Sequence, residues 1–169
     1  MAANCRFAFA VHVLAVLAYK RGEEVSSTQL AASVNTNPVT IRRLLLALRK
    51  AGLIFTQRGA GGGARLTREP GTMTLAEVYR AVEECRPFSP HPHQPNQCCH
   101  VGQKIEQVLT EVFASAQAAL EQALAQRTLA DVLETMSDER APSSKRAAVR
   151  RNPRVRIRRR PDILSTANH

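Results

Sequence analysis

The sequence predicts a mainly α-helical protein that carries one small β-hairpin. Three observations lead there. Apolar residues recur at helical spacing through most of residues 7–136. Aromatic residues are scarce, with five Phe, two Tyr and no Trp, so the core must be built from Ala, Leu and Val. Four of the eight glycines crowd into Gly59–Gly63, between Arg58 and Arg65. At 169 residues the chain is long enough for a real core.

Phe7, Ala10, Val11, Leu14, Leu17 and Ala18 mark a first amphipathic helix that stops at Gly22. Ser26 and Gln29 form a capping-box pattern that opens a short helix through Leu30, Ala31 and Val34. Asn35-Thr36-Asn37 interrupts it. Asn37 then supplies an N-cap and Pro38 the first helical position, where a missing N–H costs nothing. The helix that follows carries Ile41, Leu44, Leu45 and Leu48 on one side and ends at Gly52. A short helix, a tight polar turn and a second helix make a helix-turn-helix.

Leu53–Gln57 and Arg65–Thr67 read as strands flanking the glycine run. A Walker-type phosphate loop needs Gly-Lys-Ser/Thr opening a helix, whereas Gly63 leads into the strand-like Ala-Arg-Leu-Thr. A hairpin tip fits better: glycines accept positive φ and let backbone N–H groups approach a phosphate. The hairpin is then a wing. Thr74 and Glu77 open a further helix with Leu75, Val78, Tyr79 and Val82 on one face. From Val101 a single helix of about 25 residues, roughly 37 Å, is expected. Thr128–Met136 forms a short last one.

"RFAFAVHVLAVLA", "NPVTIRRLLLALRKAGLI", "RGAGGGARL" and "TLAEVYRAVEE", in this order and spacing, resemble the bacterial Rrf family of winged helix-turn-helix transcription regulators. The resemblance covers about residues 1–135. It implies a homodimer on a pseudo-palindromic operator in double-stranded DNA, with the long helix crossing its partner. One departure is Ala64, where an aromatic often follows the wing glycines. The organisation expected is a winged helix-turn-helix DNA-binding domain over 1–83, a Cys/His/Pro-rich sensor loop over 84–100, the dimerisation helix and short terminal helix over 101–136, and a basic disordered tail over 137–169. The expected function is a repressor that responds to redox state or metal through Cys85, Cys98 and Cys99.

With Ile41, Leu44, Leu45 and Leu48 buried, the opposite helix face presents Val39, Thr40, Arg43, Ala47 and Lys50. The N-terminal part of such a helix enters the major groove, which makes Thr36, Val39, Thr40 and Arg43 the base-edge candidates. The fork of Arg43 suits a guanine, with its two acceptors. Arg42, Arg49 and Lys50 are expected on phosphate or in solvent. Arg58, Gly61, Gly62 and Arg65 would place the wing in the minor groove or on phosphate.

The loop holds Cys85, Cys98 and Cys99 with His91, His93 and His100. Cluster-binding relatives carry three cysteines and a further ligand here. Adjacent cysteines diverge, which suits an iron–sulfur cluster poorly, and zinc lacks a CxxC spacing. A thiol switch joining Cys85 to Cys98 or Cys99 stays open, as does an inert loop. The cofactor is therefore unknown.

Charge is uneven. Residues 1–139 hold 14 basic and 13 acidic residues, net +1, while 140–169 hold ten and one, net +9, which together give the chain's +10. The high pI belongs to the tail. No apolar run approaches a membrane span of ~18 residues, and Phe7–Ala18 lacks the basic leader and cleavage pattern of a signal peptide; the expectation is a cytoplasmic protein without a membrane partner. No HExxH, GxSxG or paired-carboxylate pattern points to an enzyme. The competing reading is a winged helix used for protein contacts alone. Such a module would show apolar or acidic residues where this chain has Thr, Arg and Lys.

Overall fold

The computed structural model of the chain describes residues 5–57, 59, 61–82, 88 and 91–138. Helix α1 (Arg6–Tyr19) is the hub and buries Ala10, Val13, Leu14 and Leu17 against the elements around it. Helix α2 (Ser27–Val34) opens on the expected box: the Ser26 hydroxyl accepts from the Gln29 amide, and the Gln29 side chain accepts from the Ser26 amide. Asn35 ends it in the left-handed conformation (φ 56°), and the Thr36 amide donates back to the Ala31 carbonyl. That turn aims helix α3 (Pro38–Lys50), whose first free amide, at Val39, is capped by Asn37 at 2.8 Å.

Helix α3 buries Ile41, Leu44, Leu45 and Leu48, the four residues of the expected apolar stripe. It closes in a Schellman motif. Gly52 takes φ 73°, the Leu53 amide reaches the Leu48 carbonyl and the Gly52 amide reaches Arg49. Leu48 and Leu53, both buried, supply the apolar contact that accompanies the motif. Leu48→Ala would cost ~2–5 kcal/mol by the usual cavity rule.

Strands β1 (Ile54–Thr56) and β2 (Ala64–Leu66) pair antiparallel, with Phe55 opposite Arg65. They are shorter than Leu53–Gln57 and shifted from Arg65–Thr67. Leu53 is spent on the helix end, and Ala64 is recruited because its backbone pairs with Val25 at 2.9 and 3.0 Å. Val25 therefore lines the outer edge of β2. After a short 3-10 turn (Pro70–Thr72), helix α4 (Leu75–Val82) is capped by the Thr74–Glu77 box.

Helix α5 (His100–Ala125) runs 26 residues and buries among them only Gly102. It begins one residue earlier than Val101, because Cys99 serves as N-cap and the Asn96–Cys99 turn folds over Gly102. A Cβ on Gly102 would sit 2.2 Å from the Asn96 carbonyl oxygen. Helix α6 (Leu129–Asp138) starts at a Thr128–Asp131 box and packs back on α1 and the Pro70–Thr72 turn. The Leu129 amide bonds the Met73 carbonyl, the Leu75 amide bonds Arg127, and the Leu129 side chain completes the core. Among the described residues no charged or polar side chain is buried in the core, and no helix is long and apolar enough to cross a membrane.

Candidate nucleic-acid interface

The outer face of α3 carries Val39, Thr40, Arg42, Arg43, Leu46, Arg49 and Lys50, all exposed, and no acid lies anywhere in the helix. Two open clefts flank it. One, of about 430 Å³, lies between α3 and the wing and is lined by Arg42, Leu46, Arg49, Gly62 and Gly63 together with Ser26 and Ser27 at the start of α2. The other, of about 900 Å³, lies between α3, α1 and α4 and is lined by Thr40, Arg43, Leu46, Lys50, Arg6 and Arg80. The sequence expectation gave Arg42, Arg49 and Lys50 one role, on phosphate or in solvent, while its outward helix face already held Lys50 with Arg43. The fold separates them, with Arg42 and Arg49 turned to the wing and Lys50 standing with Arg43. Ala47 is half-buried, and Thr36 is half-buried in the turn, its amide already used.

The wing glycines now have separate reasons. Gly59 and Gly61 hold φ of 105° and 83°, with nothing within 4 Å of the Cβ each lacks. Gly63 is a matter of space: a Cβ there would lie 2.8 Å from the Val25 backbone. Its amide donates to Glu24 Oε2 at 2.9 Å. Gly62 closes the tip by donating to the Gly59 carbonyl at 3.0 Å. Arg65 stacks its guanidinium over the Phe55 ring, 4.8 Å from the centroid, and lies 3.9 Å from Glu24. Its side chain stays half-exposed. Arg58 lies outside the described residues, as does Cys85.

Glu24, Leu46, Arg6 and Arg80 were not singled out by sequence reasoning. Leu46 was within reach, since on the wheel it falls between Lys50 on one side and Arg42 and Arg49 on the other. Glu24 was not, because only the pairing of Val25 with Ala64 brings it to the wing.

The described part of the Cys/His loop is ordered by Asn96. Its side-chain oxygen accepts from the Cys98 amide at 2.9 Å and its carbonyl from the Cys99 amide at 3.1 Å. Both thiols are exposed and outside any disulfide. The Cys99 sulfur faces the open amides of Gly102 and, secondarily, Val101 at the start of α5; these hold its pKa below the ordinary thiol value. His100 is the first residue of α5 rather than part of the loop. Among the described residues no three His, Cys, Asp or Glu side chains converge as a metal site would need. The described donors therefore do not fit an iron or zinc centre.

A basic, acid-free helix face beside a glycine-tipped hairpin is the architecture of a DNA-reading winged helix. Residues 3–135 match the Rrf2 family model, described as an iron-dependent transcriptional regulator. The chain belongs to the Rrf2 family. It is a family of transcriptional regulators, not of enzymes. Among the Rrf2 proteins this chain is similar to is YwnA of Bacillus subtilis, named as an HTH-type transcriptional regulator. The two are 42% identical over 130 residues, covering 77% of this chain and 96% of YwnA. A solved structure assigned as a DNA-binding protein is 40% identical, with a TM-score of 0.61, covering 76% of this chain and 98% of that one. IscR of T. potens shares the Rrf2 fold at a TM-score of 0.62 and 24% identity, over 85% of this chain and 94% of its own. Rrf2 membership makes the chain a DNA-binding transcriptional regulator.

Proposed function

We propose that the protein is a homodimeric repressor that binds a two-fold symmetric operator, reading bases with Val39, Thr40 and Arg43 and gripping phosphate with Lys50 and Arg65. The supporting observation is the α3 face, which gathers four cations and no acid between two open clefts. Thr36 supports the entry turn, and Gly61 and Gly62 bring the wing backbone close to the DNA; Arg58 would add charge at the tip. Arg43→Ala should cost ~1–3 kcal/mol of operator affinity and relax preference at one position, whereas Arg65→Ala should weaken binding evenly across sequences. A titration in which Arg43→Ala changes neither affinity nor base preference rejects the reading. Reporter expression that falls on deleting the gene would reject the repressor role.

The dimer is supported by α5, whose Val101, Val108, Val112 and Leu120 are left exposed along one long helix. A redox response is supported by Cys99. A thiolate there would attack a peroxide, taking one oxygen as sulfenic acid and releasing hydroxide. Alkylation of the anaerobic protein should label Cys99 at lower pH than ordinary thiols need. Operator affinity unchanged after peroxide would leave the thiol without a regulatory part.

A further inference from the structure

Two apolar side chains stand on a face that is otherwise cationic. Val39 is 47% and Leu46 56% exposed. They are seven residues apart, two turns along one line of α3, with Arg42, Arg43, Arg49 and Lys50 to either side. Leu46 is the ridge between the two clefts and lines both. The fold does not ask for leucine there. The core is filled from the opposite side by Ile41, Leu44, Leu45 and Leu48, and a lysine or arginine would suit the helix as well. An apolar protein partner would have to bury four cations to reach Leu46. An anionic partner bearing apolar points would not. In the major groove of duplex DNA the thymine 5-methyl group is such a point, and the flanking phosphates match the cations.

We propose that Val39 and Leu46 are specificity-determining residues that read thymine methyl groups in the operator. The inference rests on α3 being the DNA-reading helix and adds what that helix selects. The two side chains are ~10 Å apart along the helix, a span of about three base steps at ~3.4 Å each. Each half-site should therefore hold two thymines at that separation. Packed between Arg43 and Lys50, Leu46 displaces water from one methyl while the arginine fork is occupied beside it.

The test uses the full chain and an operator selected with it from random duplex DNA. Each thymine is replaced in turn by deoxyuridine, which deletes the methyl and keeps the base-pairing edge. Replacing the thymine that faces Leu46 should weaken binding roughly fourfold, the worth of one buried methyl. Leu46→Ala should bind thymine and uracil equally at that position and still discriminate at the position facing Val39. Arg43→Ala should weaken both duplexes and keep their ratio. Leu46 is exposed and alanine favours helix, so the variant folds, and its melting temperature checks this. If the native protein binds the fully uracil-substituted operator as tightly as the thymine one, or if Leu46→Ala keeps every penalty, the proposal is overturned. If selection yields no preferred duplex while the protein is folded, the DNA-reading role of α3 falls first and this inference with it.

Discussion

Glu24 does two jobs with one carboxylate. One oxygen takes the Gly63 amide and the other lies within ion-pair distance of Arg65, so the wing is held by a residue from before α2. The carboxylate is also a negative charge next to the surface proposed to meet phosphate. Glu24→Gln keeps an acceptor for Gly63 while removing that charge. It should raise DNA affinity modestly, with the gain shrinking as salt is added, in a titration at several ionic strengths. Gly63→Ala acts on the wing's seating instead. Its Cβ would collide with the Val25 backbone and push the wing off its edge, so DNA affinity should fall while most of the core survives. Gly61→Ala meets no neighbour and only strains the left-handed backbone, which costs ~1–2 kcal/mol. Circular dichroism melts run beside the binding assays separate the two.

Among the elements, the caps carry a pH signature. Glu77 is held below its ordinary value of 4.5, first by the Arg68 side chain and then by the Thr74 amide. Asp131 is held below 3.8 by the Thr128 amide and hydroxyl. A depressed carboxylate stabilises the fold above its unfolded pKa and loses that contribution as pH falls through the lower folded value. Melting temperature should therefore be flat near neutrality and drop below about pH 4.5, and Glu77→Gln should flatten that drop. For α5, Val112→Asp puts a charge on the exposed stripe. Sedimentation should show the native chain as a dimer and the variant dissociating. Much of this was legible along the chain. Ser26–Gln29, Asn37-Pro38 and Thr74–Glu77 announce their helices through local hydrogen bonds, and the four buried residues of α3 follow from its period. What stayed hidden depends on contacts between distant segments: Val25 against Ala64, Glu24 on the wing, Asn96 over Gly102. The Thr128–Asp131 cap was local and was missed because Asp stands where Glu or Gln completes the usual pattern. The outward face of α3 was legible in part, since periodicity marks which side of the helix is exposed but not which cleft each cation enters.

For the whole molecule, charge and connectivity matter most. The net +9 of residues 140–169 lies outside the described residues and beyond the match to the Rrf2 family, which ends at residue 135. Removing everything after Ser137 should leave operator preference intact. If the tail meets phosphate, the log–log salt slope should drop by ~0.9 for each phosphate that the truncated chain no longer neutralises. An unchanged slope assigns all the electrostatics to α3 and the wing. A chain ending after residue 83 should behave differently, with a broad melt and dye-binding apolar surface, because the core it leaves open is the one Leu129 fills.

The seating of Leu129 sets an order of events during synthesis. This side chain is fully buried against a body made of residues more than forty-five positions earlier, so a nascent chain cannot close its core until α6 has left the ribosome. By then α5 is already outside. The winged-helix body and α5 are thus finished together, and a stalled or truncated product carries an unfinished core. A product that stops short of α6 lacks both the Leu129 amide that bonds the Met73 carbonyl and the side chain that closes the core.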